Sequence, residues 1–422
     1  MTDTVSRGRG LRRPFSLIAK PTGAACNLDC SYCFFLSKEV LWESKAQAMT
    51  EDVLRAWLVN YLNAQPDGPV TVGWQGGEPT LRGLDFFRDA VRIANEVKRP
   101  RQQVQHAIQT NATLLDDAWG EFLAEEQFLV GVSIDGPREL HDRYRVNKAG
   151  RGTYAQVVRG LRILQAHRVD TNILCTVNAI NAEHPLAVYR HFRDDLGANF
   201  LQFIPIVERV DAGQESVAES GWRRDDGTFV LYEQTGTGVT SRTVAPEQYG
   251  TFLITLFDEW VSRDVGSVYV QDFDVTLAAL FGQYSLCVHA PKCGGALAME
   301  HNGDVYSCDH YVEPGYRLGN VAIDDFRAMV GSDFQREFGR SKRTALPRQC
   351  VECPVRWACH GGCPKDRFAK TRDGEGGLNY LCAGYYRFYS HVTPAMEHMG
   401  RLLRSGRPAA DIMAAPTSRD GI

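Results

Sequence analysis

The run Cys26-Asn27-Leu28-Asp29-Cys30-Ser31-Tyr32-Cys33 sets three cysteines in a CxxxCxxC spacing with no fourth cysteine nearby. Thiolates so dense are ligands by chemistry, and a closed zinc site or electron-transfer cluster takes four of them. Three leave one iron of a [4Fe–4S] cluster open to a ligand from outside the protein. A disulfide or an incomplete zinc site would share the spacing, although three cysteines cannot all pair with one another. Two further segments carry polar groups suited to a ligand. In Gln75-Gly76-Gly77-Glu78-Pro79 the adjacent glycines allow close backbone approach, and Glu78 can accept from an ammonium. Ser133-Ile134-Asp135-Gly136-Pro137 is followed by His141, Asp142 and Arg145, and an arginine pairs bidentately with a carboxylate. The bland counterparts are a turn, a helix cap and a surface ion pair.

These groups need rigid elements to hold them. Between 15 and 206, short apolar runs rich in β-formers alternate with helical patterns, and strands are predicted at 16–20, 70–74, 104–109, 129–134, 172–177 and 200–204. Within 153–167, Val157, Val158, Leu161, Ile163 and Leu164 line one helical face. Thr50 is a good N-cap, with Glu51 and Asp52 in the first turn to favour the dipole. The alternation predicts an α/β fold with a parallel sheet and right-handed crossovers. Six such units suit an incomplete TIM-like (β/α) barrel, and a flat doubly wound sheet fits the same pattern. In the barrel the cysteine run follows the first strand, at the C-terminal mouth where barrel chemistry sits.

The chain has 422 residues, 44% hydrophobic and 23% charged, with a net charge of −4. Such a balance gives no strong field to attract nucleic acid or an anionic membrane. Arg7, Arg9, Arg12 and Arg13 make 1–13 a loose basic arm. No apolar run reaches the length of a membrane span and no signal-like stretch opens the chain, so the expected compartment is the cytoplasm. The stretch 14–207 is the expected barrel. From 208 to 246 the chain turns polar and rich in glycine and threonine, an expected loop over the site, and 208–283 forms an insertion with linking helices. Beyond 284 the composition shifts to cysteine, glycine and short strands, which predicts a second domain over 284–395 and a tail over 396–422.

Of twelve cysteines, Cys175 sits alone in a predicted buried strand as a small core hydrophobe. Cys287, Cys293, Cys308, Cys350, Cys353, Cys359, Cys363 and Cys382 remain, two full sets of four. Without a secretion signal they argue for metal ligation over disulfides, as two [4Fe–4S] clusters or two Cys₄ zinc sites.

The CxxxCxxC spacing, with Tyr32 before its last cysteine, resembles the radical S-adenosylmethionine (SAM) superfamily. That resemblance implies that the open iron takes the amino and carboxylate groups of SAM, whose reductive cleavage yields a hydrogen-abstracting 5′-deoxyadenosyl radical. It makes Gly76, Gly77 and Glu78 the holders of the SAM amino group, gives Ser133 and Arg145 its carboxylate or ribose, and sets Tyr32 near the adenine. Cys350-x-x-Cys353-x5-Cys359-x3-Cys363 with Cys382 resembles a SPASM domain. Cys287-x5-Cys293, Tyr306-Ser307-Cys308-Asp309-His310-Tyr311-Val312, Arg317-Leu318-Gly319-Asn320, Gln202-Phe203-Ile204-Pro205 and Cys359 to Lys365 sharpen the resemblance to the anaerobic sulfatase-maturating enzymes, from about 17 to 389.

By that resemblance Cys287, Cys293, Cys308 and Cys363 hold one auxiliary cluster and Cys350, Cys353, Cys359 and Cys382 a second, three [4Fe–4S] clusters in all. Asp309, directly after a ligand, becomes the acid–base residue, and Gln75 a substrate contact. The implied reaction is oxygen-independent oxidation of a cysteine or serine in a sulfatase polypeptide to Cα-formylglycine, with flavodoxin or ferredoxin as electron donor. A SPASM-type maturase forming thioether or carbon–carbon crosslinks is the rival, weakened by the short segment before the first strand. A non-catalytic iron–sulfur carrier would need no SAM pocket. Two positions depart from the family: Phe35, where tyrosine is frequent, and Ala112, where glycine often follows the asparagine.

Overall fold

The structure is a computed structural model that describes residues 14–42 and 48–414. The basic arm expected at 1–13 lies outside the described residues, as does the end of the expected tail. Ten strands form one sheet: β1 (Ser16–Ala19), β2 (Gly68–Trp74), β3 (Gln102–Thr110), β4 (Leu129–Ser133), β5 (Asp170–Val177), β6 (Phe200–Pro205), β7 (Tyr269–Val270), β8 (Ala296–Met299), β9 (Asp304–Tyr306) and β10 (Arg317–Asn320). The first six match the predicted strands. Strand β2 illustrates why: Val70, Val72 and Trp74 are buried while Thr71 between them is exposed, the period of two that a pleated strand imposes.

The spatial order is β10-β9-β8-β1-β2-β3-β4-β5-β6-β7. Strands β1 to β7 are parallel to their neighbours and lie in chain order. An order that never reverses winds every crossover the same way, as in a barrel; a doubly wound sheet reverses at a switch point. The two outer strands do not pair, so the barrel stays incomplete.

Beyond 284 the chain first extends the main sheet, and only the short pair Ala369–Lys370 and Gly376–Leu378 stands apart from it. Strand β8 pairs in parallel along the free side of β1, from Ser16↔Ala296 to Ala19↔Met299, and β9 and β10 follow as antiparallel neighbours. The segment 208–283 likewise joins the sheet through β7. Its helix Pro246–Arg263, one of the expected linking helices, lies against the helix Cys382–Arg404. A Cβ at Gly250 would stand 2.7 Å from the Cα of Gly384, so two glycines permit that crossing. The expected boundary at 395/396 falls inside the helix Cys382–Arg404, whose Met396, Met399 and Leu402 are buried.

The polar stretch after 208 is held by a network instead of an apolar face. Glu208 and Arg242, 5% and 3% exposed, pair at 2.7 Å. Trp222 Nε1 and Thr240 Oγ1 donate to the same carboxylate at 2.6 and 2.7 Å. Val210, Ala218, Trp222 and Tyr232 make a small second core on which Phe34 packs. Arg223 reaches Asp29 at 2.8 Å, and Lys38 Nζ donates to the Tyr232 carbonyl at 2.6 Å. The insertion thus folds onto the cysteine loop.

One close approach fixes the loop after β3. Ala112 holds a φ of 59°, the left-handed region where an L-residue is strained. A Cβ at Gly160, in the helix Tyr154–Ala166, would stand 2.1 Å from the Ala112 carbonyl oxygen. Gly160→Ala is therefore expected to cost about 1–3 kcal/mol through overpacking, read as a lower thermal midpoint. Gly315→Ala, whose Cβ meets nothing within 4 Å, should stay within about 0.5 kcal/mol of the parent. Equal midpoints for the two variants would contradict the packing.

Candidate active site

The loop after β1 carries the three cysteines and lies against the loop after β2. Gly77 N donates to the Gly23 carbonyl and Glu78 N to the Ala25 carbonyl, each at 2.9 Å. A Cβ at Gly77 would fall 2.0 Å from the Ala25 oxygen. Gly76, at φ 120°, clears the stem of Lys20, whose Cβ would be 2.8 Å from an added Cβ. The close approach these glycines allow in this structure is therefore to the cysteine loop. Cys26 Sγ accepts from Leu28 N at 3.3 Å, and Asn111 Nδ2 lies 3.8 Å from it. Burial pushes the Cys30 thiol up to about 12 and raises Cys26 and Cys33 as well, so all three are neutral thiols until a metal deprotonates them.

Glu78, the expected ammonium acceptor, is held by donors from its own chain. It is 1% exposed, and one oxygen accepts from Thr80 N (3.0 Å), Thr80 Oγ1 (2.7 Å) and Thr110 Oγ1 (2.7 Å). The other accepts from Asn111 N at 2.7 Å. These four donors let the side chain tie the end of β2 to the end of β3.

Ser133 ends β4 and accepts from Gln109 Nε2 at 2.9 Å. Arg145 Nε donates to Asp135 Oδ2 at 2.9 Å, with the pair 9% and 1% exposed. The Tyr32 hydroxyl donates to the same oxygen, and the Arg145 guanidinium stands 5.5 Å from the Tyr32 ring centre. Asp135 Oδ1 accepts from Thr176 N at 2.9 Å. Asp135 thus places both Tyr32 and Arg145 beside the cysteine loop. Its neighbours are structural: His141 is fully buried with its pKa lowered by burial to about 3, and Asp142 accepts from Tyr154 N at 2.8 Å at the start of the next helix.

All twelve cysteines are free. Eleven gather in three groups, within which ionised thiols would repel one another. Cys26, Cys30 and Cys33 form the first. Cys287, Cys293, Cys308 and Cys363 form the second. Cys350, Cys353, Cys359 and Cys382 form the third. Cys175 is fully buried in β5. Among the described residues no three His, Cys, Asp or Glu side chains close tightly enough on one point to hold a single metal ion. Two cations line the C-terminal groups. Lys342 Nζ donates to the Val288 carbonyl at 2.8 Å, and burial brings its pKa down to about 8. Arg367 feels thiols of both groups, Cys350 and Cys359 on one side and Cys363 and Cys293 on the other. Its guanidinium donates to the Lys342 carbonyl at 2.6 Å and to the Gly361 and His360 carbonyls at 2.9 Å.

Asp309 follows Cys308 and is 14% exposed, and its Oδ1 lies 2.9 Å from Lys20 Nζ. Lys20 is 1% exposed and also meets Glu300 at 2.9 Å, itself 1% exposed. Burial by itself would lower the Lys20 pKa, but Asp309 and Glu300 outweigh it and raise the group above the ordinary lysine range. The ammonium stands 4.7 Å from the centre of the Phe35 ring, so that ring faces a cation. Gln75 is half-buried, and among the described residues its side chain has no hydrogen-bond partner. Sequence reasoning passed over Lys20, Glu300, Gln109 and the carboxylate of Asp135. Each sits at or just beyond the end of an apolar strand, which is the signal that could have found them.

The sequence matches the family model of the Radical SAM superfamily over residues 21–192 and that of an iron–sulfur cluster-binding domain, SPASM, over 291–354. It is 43% identical over 407 residues to a serine-type anaerobic sulfatase-maturating enzyme of Bacteroides thetaiotaomicron, covering 96% of this chain and 95% of that one. It is 32% identical over 395 residues to a cysteine-type enzyme of Clostridium perfringens, covering 93% and 100%. A solved structure of native anSMEcpe with bound AdoMet (SAM) and Cp18Cys peptide superposes with a TM-score of 0.77 at 29% identity, over 92% of this chain and 99% of that one. Streptococcus suis SuiB bound to S-adenosylmethionine shares the fold at 16% identity, with a TM-score of 0.58 over 88% and 77%. A parallel barrel with a three-cysteine loop at its mouth, joined to a cysteine-rich module and matched along nearly its whole length, identifies the chain as a member of the anaerobic sulfatase-maturating enzymes, which are radical SAM oxidoreductases with a SPASM iron–sulfur domain.

Proposed function

We propose that this enzyme oxidises a cysteine or serine side chain of a sulfatase polypeptide to Cα-formylglycine without oxygen. The observation that carries the reading is the ion pair between Asp309 and Lys20, which ends β1 and opens the cysteine loop. It brings a carboxylate of the C-terminal module to the radical SAM half. The donor sets fit iron–sulfur clusters: eleven free thiols in one group of three and two groups of four, with Arg145, Lys342 and Arg367 as buried or half-buried cations beside them. Cys26, Cys30 and Cys33 would hold the cluster with the open iron. Cys287, Cys293, Cys308 and Cys363 would hold the first auxiliary cluster, and Cys350, Cys353, Cys359 and Cys382 the second, making three [4Fe–4S] clusters. When bound, these clusters and SAM supply the radical that removes a β-hydrogen and the sink for the electron that remains.

The chain's own residues do the rest. Tyr32 and Arg145, both set by Asp135, flank SAM with Ser133 and the backbone of Gly76 and Gly77. Gln75 offers its unpaired amide to the substrate peptide. Asp309 accepts the thiol or hydroxyl proton, so the substrate loses one hydrogen atom, one proton and one electron. That yields the aldehyde from serine, or a thioaldehyde that water converts to the aldehyde and sulfide from cysteine. A flavodoxin or ferredoxin supplies reducing electrons in the cytoplasm. Among the described residues no helix is long and apolar enough to cross a membrane.

Incubated without oxygen with SAM and a strong reductant, the iron-loaded enzyme should convert a Cys-x-Pro-x-Arg peptide or its serine counterpart to a hydrazine-trappable aldehyde, followed by mass spectrometry. SAM cleavage with both peptides unchanged would contradict the reading. Asp309→Asn should keep SAM cleavage while lowering aldehyde formation about a hundredfold or more, the usual worth of a positioned acid–base group. Replacing Cys26, Cys30 and Cys33 together by alanine should remove about one third of roughly twelve irons and abolish SAM cleavage. Unchanged iron in that variant would contradict the ligand set.

A further inference from the structure

Lys20 is the most enclosed cation at the site, and its surroundings are built to hold it. Its Nζ stands 2.9 Å from Glu300 Oε1 and 2.9 Å from Asp309 Oδ1. The absence of a side chain at Gly76 leaves room for its stem, and the Phe35 ring closes over the ammonium at 4.7 Å. The two carboxylates are not equivalent. Glu300 is sealed at 1% exposure, whereas Asp309 is 14% exposed. Lys20 Nζ meets Oδ1 of Asp309 as an ion pair without hydrogen-bond alignment, and Oδ2 lies on the other side of the carboxylate from that contact.

The register explains the placement. Ala19 pairs with Met299 across the parallel strands β1 and β8, so the next residues, Lys20 and Glu300, emerge side by side. Lys20 N also donates to the Met299 carbonyl at 2.9 Å. The anchor of the ammonium is thus fixed by strand register, while Asp309 reaches it from the segment after β9.

We propose that Lys20 is a positioning residue for the oxidation. Its ammonium, anchored by Glu300, grips Oδ1 of Asp309 and turns Oδ2 toward the substrate side chain. This rests on Asp309 being the proton acceptor. Isolated carboxylates have several rotamers of similar energy, whereas a fixed cation 2.9 Å from one oxygen favours those that keep this oxygen against it. Proton transfer needs hydrogen-bond reach between acceptor and donor, so loss of that plane reduces turnover without touching peptide affinity.

The test uses the full-length, iron-loaded enzyme. Lys20→Met combined with Glu300→Gln removes the cation and its anchor together, because removing the lysine alone would leave two unpaired carboxylates in the interior. Peptide KM, kcat for aldehyde, and 5′-deoxyadenosine released per aldehyde are measured, with iron content as the check on folding. The expected result is a kcat lowered about a hundredfold, a KM unchanged within about threefold, and a raised deoxyadenosine ratio. Adding Asp309→Asn should cost nothing further, since residues acting as a unit are not additive. Glu300→Gln alone disturbs the site least, and it should lower kcat about tenfold at unchanged KM. This variant decides the matter if the paired variant fails to load iron, and an unchanged kcat there overturns the proposal. With Asp309→Asn inactive, a paired variant within about threefold of the parent kcat overturns the positioning role and leaves Asp309 as acceptor. A further multiplied loss on adding Asp309→Asn also overturns it. Full turnover by Asp309→Asn alone overturns the acceptor reading itself and this proposal with it.

Discussion

The parallel pairing of Ser16–Ala19 with Ala296–Met299 is the constraint on which the rest of the molecule depends. It fuses the cysteine-rich module to the first strand of the barrel, so two halves that could have been tethered domains share one sheet. Each strand of the pair is followed directly by a charged residue, and the register sets Lys20 against Glu300. The cysteine loop leaves from the same point. A shift of register by one residue would turn side chains to the opposite face and break the ion pair. Geometry between a radical-generating loop and a carboxylate on another module is thereby fixed by backbone hydrogen bonds.

Around that joint, buried carboxylates act as fasteners between segments distant in sequence. Glu78 joins the ends of β2 and β3, Asp135 joins the cysteine loop to β4 and β5, and Glu208 pins the inserted segment. Burying a charge is costly unless it is paired and hydrogen-bonded, and each of these has several donors. Asp309 is the exception in kind. It is the most exposed of these carboxylates and meets Lys20 through one oxygen, which suits the proton acceptor proposed above.

The strands were legible because period-two burial and apolar runs depend on neighbours in the sequence, as at Val70, Val72 and Trp74. The ligand groups were legible because cysteine is rare and its spacing is local chemistry. The resemblance to a family supplied the pairing of distant cysteines, which spacing alone left open. The four donors of Glu78 could not be read from the sequence, because they come from two loops whose meeting is a tertiary event. Lys20 and Glu300 were passed over for the same reason: each reads alone as a polar residue ending a strand, and only β1–β8 pairing makes them a pair. The insertion after 208 gave no periodic signal since a Glu–Arg–Trp network holds it. Ala112, noted as a departure, proved to occupy a left-handed position where glycine carries no strain.

The central claim is that the radical chemistry of the barrel and the carboxylate of the C-terminal module act on one carbon of one side chain. The direct measurement uses a peptide whose target cysteine or serine carries deuterium at the β-carbon, turned over without oxygen by the loaded enzyme. Mass spectrometry of the 5′-deoxyadenosine should find deuterium incorporated in step with the aldehyde formed. Aldehyde formed with unlabelled deoxyadenosine would contradict the account.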